Sequence, residues 1–157
     1  MAVMNPYNYS KPKNYIRVEP QSKQETGLLS SERKVSSVTD KMDQYLESKI
    51  IAAKPEELTY MLYEGMVKFI KKALLFLESG NDEQVNYNTQ RAQAIVDELR
   101  STLNMDVPLS VSLDTLYEYL NYKLLLANVD KSESHFNEAL EIAENFKDTW
   151  KEAFNIK

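Results

Sequence analysis

The chain has one histidine, His135, and no cysteine. That excludes disulfides, a thiol nucleophile and cysteine-ligated metals. A two-metal site between helices needs paired histidines and inward carboxylates. His135 stands alone beside Glu133, without a Glu-x-x-His spacing, and reads as a partly exposed helix residue. The three glycines (Gly27, Gly65 and Gly80) are too far apart to build a loop that cradles phosphate. No Walker loop, GxSxG elbow or dinucleotide fingerprint occurs. The carboxylates recur beside lysines, as on solvated helix faces. The sequence therefore predicts no catalytic residue, no metal and no cofactor.

The residues whose spacing can do work are apolar. A bundle helix needs one apolar face. Val85, Ala92, Ile95, Val96, Leu99 and Leu103 supply one such arc, and Phe136, Ala139, Leu140, Ala143, Phe146, Trp150 and Phe154 another. Two other helical stretches carry more. Leu58, Met61, Leu62, Gly65, Phe69, Ala73 and Phe76 make one face, while Tyr63, Val67, Ile70 and Leu74 make a second, spaced four, three and four. Leu113, Leu116, Leu120 and Leu124 make a core face, while Tyr119, Tyr122, Leu126 and Val129 make another stripe, spaced three, four and three. Two readings stay open. These helices are simply the most buried, or the surplus stripes form grooves that take a partner helix. In the second reading the client-binding residues are Tyr63, Val67, Ile70, Leu74, Tyr119, Tyr122, Leu126 and Val129. Eight such side chains at a typical burial term give roughly 12 kcal/mol gross, and ordering a flexible client offsets several kcal/mol of it.

Local signals position these stripes. Residues 1–33 read as a flexible arm, broken by Pro6, Pro12, Pro20 and Gly27. Val35, Val38, Met42, Tyr45 and Leu46 predict a short amphipathic helix over 34–50. It is a candidate lid through Tyr45 and Ile50, although Ile50 to Ala53 also fits plain linker packing. Pro55 with Glu56 and Glu57 opens the first long helix, and Gly80 ends it as a left-handed cap. Asn81 with Gln84 opens the second helix, which runs to about Leu103. A third runs from Ser110 or Ser112 to Val129. Asp130 with Glu133 opens a fourth, ending near Phe154. The expected fold is all-α: an antiparallel four-helix bundle over 55–154 with an extended N-terminal arm and a short N-terminal helix. Gly65 lies inside a helix at a cost of about 1 kcal/mol relative to alanine. It predicts a close approach of another helix, with contact to a client as the alternative.

Charge narrows the partners. Residues 1–54 hold nine Lys/Arg and six Asp/Glu, and residues 55–157 hold ten and eighteen. The acidic bundle argues against nucleic acid. No apolar run is long enough to span a bilayer, and no secretory signal is visible, so a cytoplasmic location without membrane insertion is expected.

The stretch Pro55-Glu-Glu-Leu-Thr-Tyr-Met-Leu-Tyr-Glu-Gly65 resembles the "PEEL..MLYDG" segment of the flagellin-specific export chaperones, the FliS family. Further pieces follow in the family's order: the Lys-Ala run after Phe69, Arg91 to Leu99, Leu116-Tyr-Glu-Tyr-Leu120, Ala127-Asn128 and Asp148-Thr-Trp-Lys151. The resemblance spans about residues 45–154. It implies a helical bundle that binds the C-terminal helical segment of flagellin, prevents premature polymerisation and, as a chaperone–client complex, meets the flagellar export gate protein. It also implies that an N-terminal segment covers part of the client surface in the free protein. Asn5-Pro6-Tyr7 resembles the family's start, but about 35 residues intervene before Tyr45, which looks like the next family tyrosine. Ala52-Ala53-Lys54 stands where the family commonly has Thr-Ala-Ser or Thr-Ala-Thr, and lysine cannot accept a cap hydrogen bond. The chain stops at Lys157, shortly after the expected bundle. The alternative function is a structural or regulatory helical protein that self-associates through its stripes.

Overall fold

The computed structural model describes residues 4–7 and 30–157, with side chains described at 4–7 and from residue 40 onward. The rest of the expected arm, residues 1–3 and 8–29, lies outside the described residues. Five helices follow in order: α1 (Ser30–Ala52), α2 (Pro55–Glu78), α3 (Asp82–Ser101), α4 (Pro108–Asp130) and α5 (Glu133–Ala153). No strand occurs among the described residues, so the class is all-α. Two compact units separate. Met4–Tyr7 belongs with residues 55–157, and α1 lies in the other unit.

The short-range signals explain most helix ends. Gly80 takes the left-handed conformation, φ 75°, and stops α2. Asn81 then caps α3, its side-chain oxygen accepting from the Gln84 N–H at 3.2 Å. Two starts differ from expectation. α4 begins at Pro108, which needs no N–H in the first turn, rather than at Ser110 or Ser112. α5 is capped by Ser132, which accepts from the His135 N–H at 3.3 Å, not by Asp130. Asp130 still belongs to α4, because the chain turns only at Lys131, which is left-handed at φ 48°. The short N-terminal helix spans Ser30–Ala52 rather than 34–50.

In the larger unit α2 packs on α3 and α5, and α4 packs on the same two helices, so the contacts close a ring. Each helix has two neighbours and needs a broad apolar arc. The interior holds Tyr63, Met66, Val67, Ile70, Val85, Val96, Leu99, Tyr117, Leu120, Leu124 and Phe136. Gly65 allows α2 to approach α3 closely, since a Cβ there would sit 3.2 Å from Ile95 Cδ1. Trp150 near the end of α5 donates its indole N–H to the Glu56 carbonyl at 2.8 Å, tying α5 to the first turn of α2.

Candidate functional site

The stripe expected on α2 is interior. Tyr63, Val67 and Ile70 are buried and Leu74 is half-buried. The reason is the ring. The arc carrying Leu62, Phe69 and Phe76 is only partly buried, with Phe69 beneath the Arg91 guanidinium of α3 at 5.5 Å. The second arc fills the middle, where Tyr63 stacks on Phe146 of α5 at 5.7 Å. Two neighbours absorb both faces, so α2 presents no open apolar stripe at Tyr63, Val67 and Ile70.

α4 is different. Its interior face is Tyr117, Leu120, Leu124 and Ala127. Its flanks are pinned by polar pairs. Arg100 of α3 donates to Asp114 at 2.8 Å, Asn121 donates to Asp97 at 2.8 Å, and Asn128 donates to Asn86 at 2.8 Å. On the other flank Lys123 meets Glu138 of α5 at 2.8 Å. What remains faces outward and is still apolar. Tyr119 is 46% exposed, Tyr122 54%, Leu125 51% and Val129 70%, while Leu126 is half-buried. Sequence reasoning found four of these five residues and missed Leu125, which lies three residues after Tyr122 and four before Val129 and so fits the same face as Leu126.

Toward its N-terminal end α4 borders a second apolar surface. Leu109, Leu113 and Leu116 of α4 and Ile142, Phe146 and Trp150 of α5 line a groove of about 460 Å³. Met4 and Pro6 also line it, so the N-terminal segment lies there as a strap. The strap is held by main chain and side chain together. The Asn104 N–H donates to the Pro6 carbonyl at 2.7 Å, and Tyr7 forms an isolated antiparallel bridge with Leu103. Asn104 is set for this by its own loop, where its carbonyl accepts from the buried Ser110 hydroxyl at 2.6 Å. Asn5 accepts from the Tyr7 N–H at 2.9 Å and turns the ring inward. Tyr7 is buried, edge-on to Trp150 at 5.5 Å. Its hydroxyl bonds to Tyr63 at 3.1 Å and to Tyr117, and Tyr63 and Tyr117 are 2.5 Å apart. Burial, then the neighbouring Tyr63 and Tyr7 phenols, push the Tyr117 phenol far above its ordinary range, so it stays protonated.

Tyr45 and Ile50, the candidate lid residues, are 68% and 37% exposed on α1. Among the described residues the segment in the groove is Met4–Tyr7. Sequence reasoning noted Asn5-Pro6-Tyr7 but could not place it, because its partners lie about a hundred residues away. His135 is half-buried in the first turn of α5. No helix of the described residues is long and apolar enough to cross a membrane.

A closed ring of four helices, with an exposed apolar face on α4 and a groove walled in part by the chain's own N-terminal segment, defines an all-helical protein that carries apolar surface outside its core. Comparison with known proteins gives its family. A family model described as "Flagellar protein FliS" matches residues 38–157. The "Flagellar secretion chaperone FliS" of Bacillus subtilis (strain 168) is 37% identical over 109 residues, 69% of this chain and 82% of that protein. The proteins of the same name from Campylobacter jejuni and Escherichia coli (strain K12) are 30% identical over 113 residues and 29% over 111. They cover 71% and 69% of this chain, and 88% and 82% of the relatives. The chain belongs to the FliS family, the chaperones of flagellum biogenesis and protein export.

Proposed function

We propose that this chain holds the C-terminal helical region of flagellin in the cytoplasm, prevents its premature polymerisation and aids its delivery to the export gate protein as a chaperone–client complex. It acts by binding, on an antiparallel bundle of α2–α5. The observation that carries this is the apolar outer face of α4, Tyr119, Tyr122, Leu125, Leu126 and Val129, continuing past Leu116 into the groove that Met4 and Pro6 border. Contiguous exposed apolar surface on a small protein marks a partner site. A helix of the client would lie along α4, as an amphipathic helix lies in an apolar groove. The Met4–Tyr7 strap covers the α4–α5 end when no client is present and leaves when one arrives. Of the expected client residues, Tyr119, Tyr122, Leu126 and Val129 meet the client directly. Tyr63 enters only once Tyr7 has gone, and Val67, Ile70 and Leu74 stay on α2, across the ring from α4, and take no direct part.

Calorimetric titration of a flagellin C-terminal peptide tests this. Tyr122→Asp with Val129→Asp, both at exposed positions, should weaken binding at least about tenfold while leaving thermal melting unchanged, since a charge placed in an apolar contact costs more than 1.4 kcal/mol. Undiminished binding by that double variant would refute the α4 site. Light scattering distinguishes the other function. A dimer that ignores the peptide and dissociates on the same substitutions would mean that the face serves self-association.

A further inference from the structure

The larger unit is strongly acidic, yet four of its ten Lys/Arg, Lys68, Lys71, Lys72 and Lys147, gather around one open recess of about 550 Å³ on α2 and α5. Val67 forms its floor, and Glu64 and Leu75 line it too. Lys68, Lys71, Lys72 and Leu75 are all exposed, Leu75 at 63%. Lys71 also meets Glu144 at 3.2 Å, with both side chains more than a third exposed. Such a pair is weak and readily exchanged for another carboxylate. The helical spacing makes an ordered row along α2: Glu64, Lys68, Lys71, Leu75, at i, i+4, i+7 and i+11. Read from one end, it is negative, positive, positive, apolar.

We propose that this row is a second docking surface, separate from α4, that takes an acidic amphipathic helix from a partner protein. The complementary helix carries a basic or neutral residue opposite Glu64, two carboxylates opposite Lys68 and Lys71, and an apolar side chain on Leu75. Charge complementarity selects this occupant. A patch of one sign on a bundle of the other concentrates and orients an acidic segment, while the surrounding carboxylates repel extended polyanions. Glu64 at one end and Leu75 at the other set the direction in which the helix lies. α2 and α4 stand across the ring from one another, each packed between α3 and α5, so the row lies on a different helix from the α4 face.

The test uses the full chain and a fluorescent synthetic helix with Lys, Glu, Glu and Leu at i, i+4, i+7 and i+11, read by anisotropy. Binding should weaken severalfold between 50 and 500 mM salt, as the Debye length falls from roughly 14 to 4 Å. It should fall at least about tenfold in Lys68→Glu/Lys71→Glu, and about threefold in Leu75→Ser, which tests the surface without charge reversal. It should not change in Tyr122→Asp. The proposal is overturned if polyglutamate of equal charge binds as tightly as the patterned helix, if the lysine reversal has no effect in a folded variant, or if only Tyr122→Asp reduces binding.

Discussion

Replacing Tyr7 by alanine should make the protein bind its client more tightly, not less. The ring is buried, so its removal forfeits about 2 kcal/mol of apolar burial. Two phenolic hydrogen bonds, to Tyr63 and Tyr117, are worth about 1 kcal/mol each, and the edge-on contact with Trp150 adds about 0.5–1 kcal/mol. About 4–5 kcal/mol of gross docking energy disappears. The Asn104–Pro6 bond and the contacts of Met4 and Pro6 cannot alone repay the ordering of the strap. The groove then stands open, and the apparent dissociation constant falls by the ratio of closed to open protein. A net closing preference of about 1–2 kcal/mol gives a gain of about 5–30-fold. Tyr7→Phe keeps the ring but loses both phenolic hydrogen bonds, about 2 kcal/mol, and should gain somewhat less than Tyr7→Ala. The measurement is calorimetry with a flagellin C-terminal peptide, beside a thermal melt in which Tyr7→Ala loses no more than about 8 °C. If folded Tyr7→Ala binds the peptide equally or more weakly, the strap is no cover and Tyr7 belongs to the binding surface.

Three further outcomes follow. Ile70→Asp should abolish cooperative melting by circular dichroism, because it places an unpaired charge in the fully buried interior; an intact melt would return that residue to the surface. Tyr45→Ala with Ile50→Ala should leave client affinity unchanged, and a gain matching that of Tyr7→Ala would make α1 part of the cover. The pH dependence has a defined sign. The Tyr117 phenol is held above the ordinary value of 10.0, so the folded state keeps a proton that the unfolded state releases. Stability measured by urea titration should be whole below pH 10 and decline above it, and Tyr117→Phe should lessen the decline.

Much of the fold was legible because it is written in short-range chemistry. Pro55, Gly80 and Asn81 act within one helical turn, and each marks an end where the structure has one. The misplacement at α5 came from two capping residues two positions apart. Asp130 and Ser132 are both competent, and the left-handed turn at Lys131 decides between them. The site was legible only in part. Periodicity shows how many apolar arcs a helix has, but not which neighbour faces each arc. That is why the stripes of α2 and α4 looked alike in sequence, although Ile70 is interior and Tyr122 is outside. The strap was legible only through the resemblance, which implied an N-terminal cover without deciding between the Asn5-Pro6-Tyr7 end and the stretch around Tyr45. Pro6 and Tyr7 are ordinary turn residues until Leu103, Asn104 and Tyr117 come beside them.

The strap is joined to the rest of its unit through residues 8–54, and most of that stretch precedes the part matched by the family. The entropy of closing a loop rises only with the logarithm of its length, at about 0.6 kcal/mol per doubling. Lengthening or shortening this connection should therefore barely alter how often the groove is shut. On the proposed reading, the length of the intervening sequence can change while the four residues at its far end keep the same partners in Leu103, Asn104 and Tyr117.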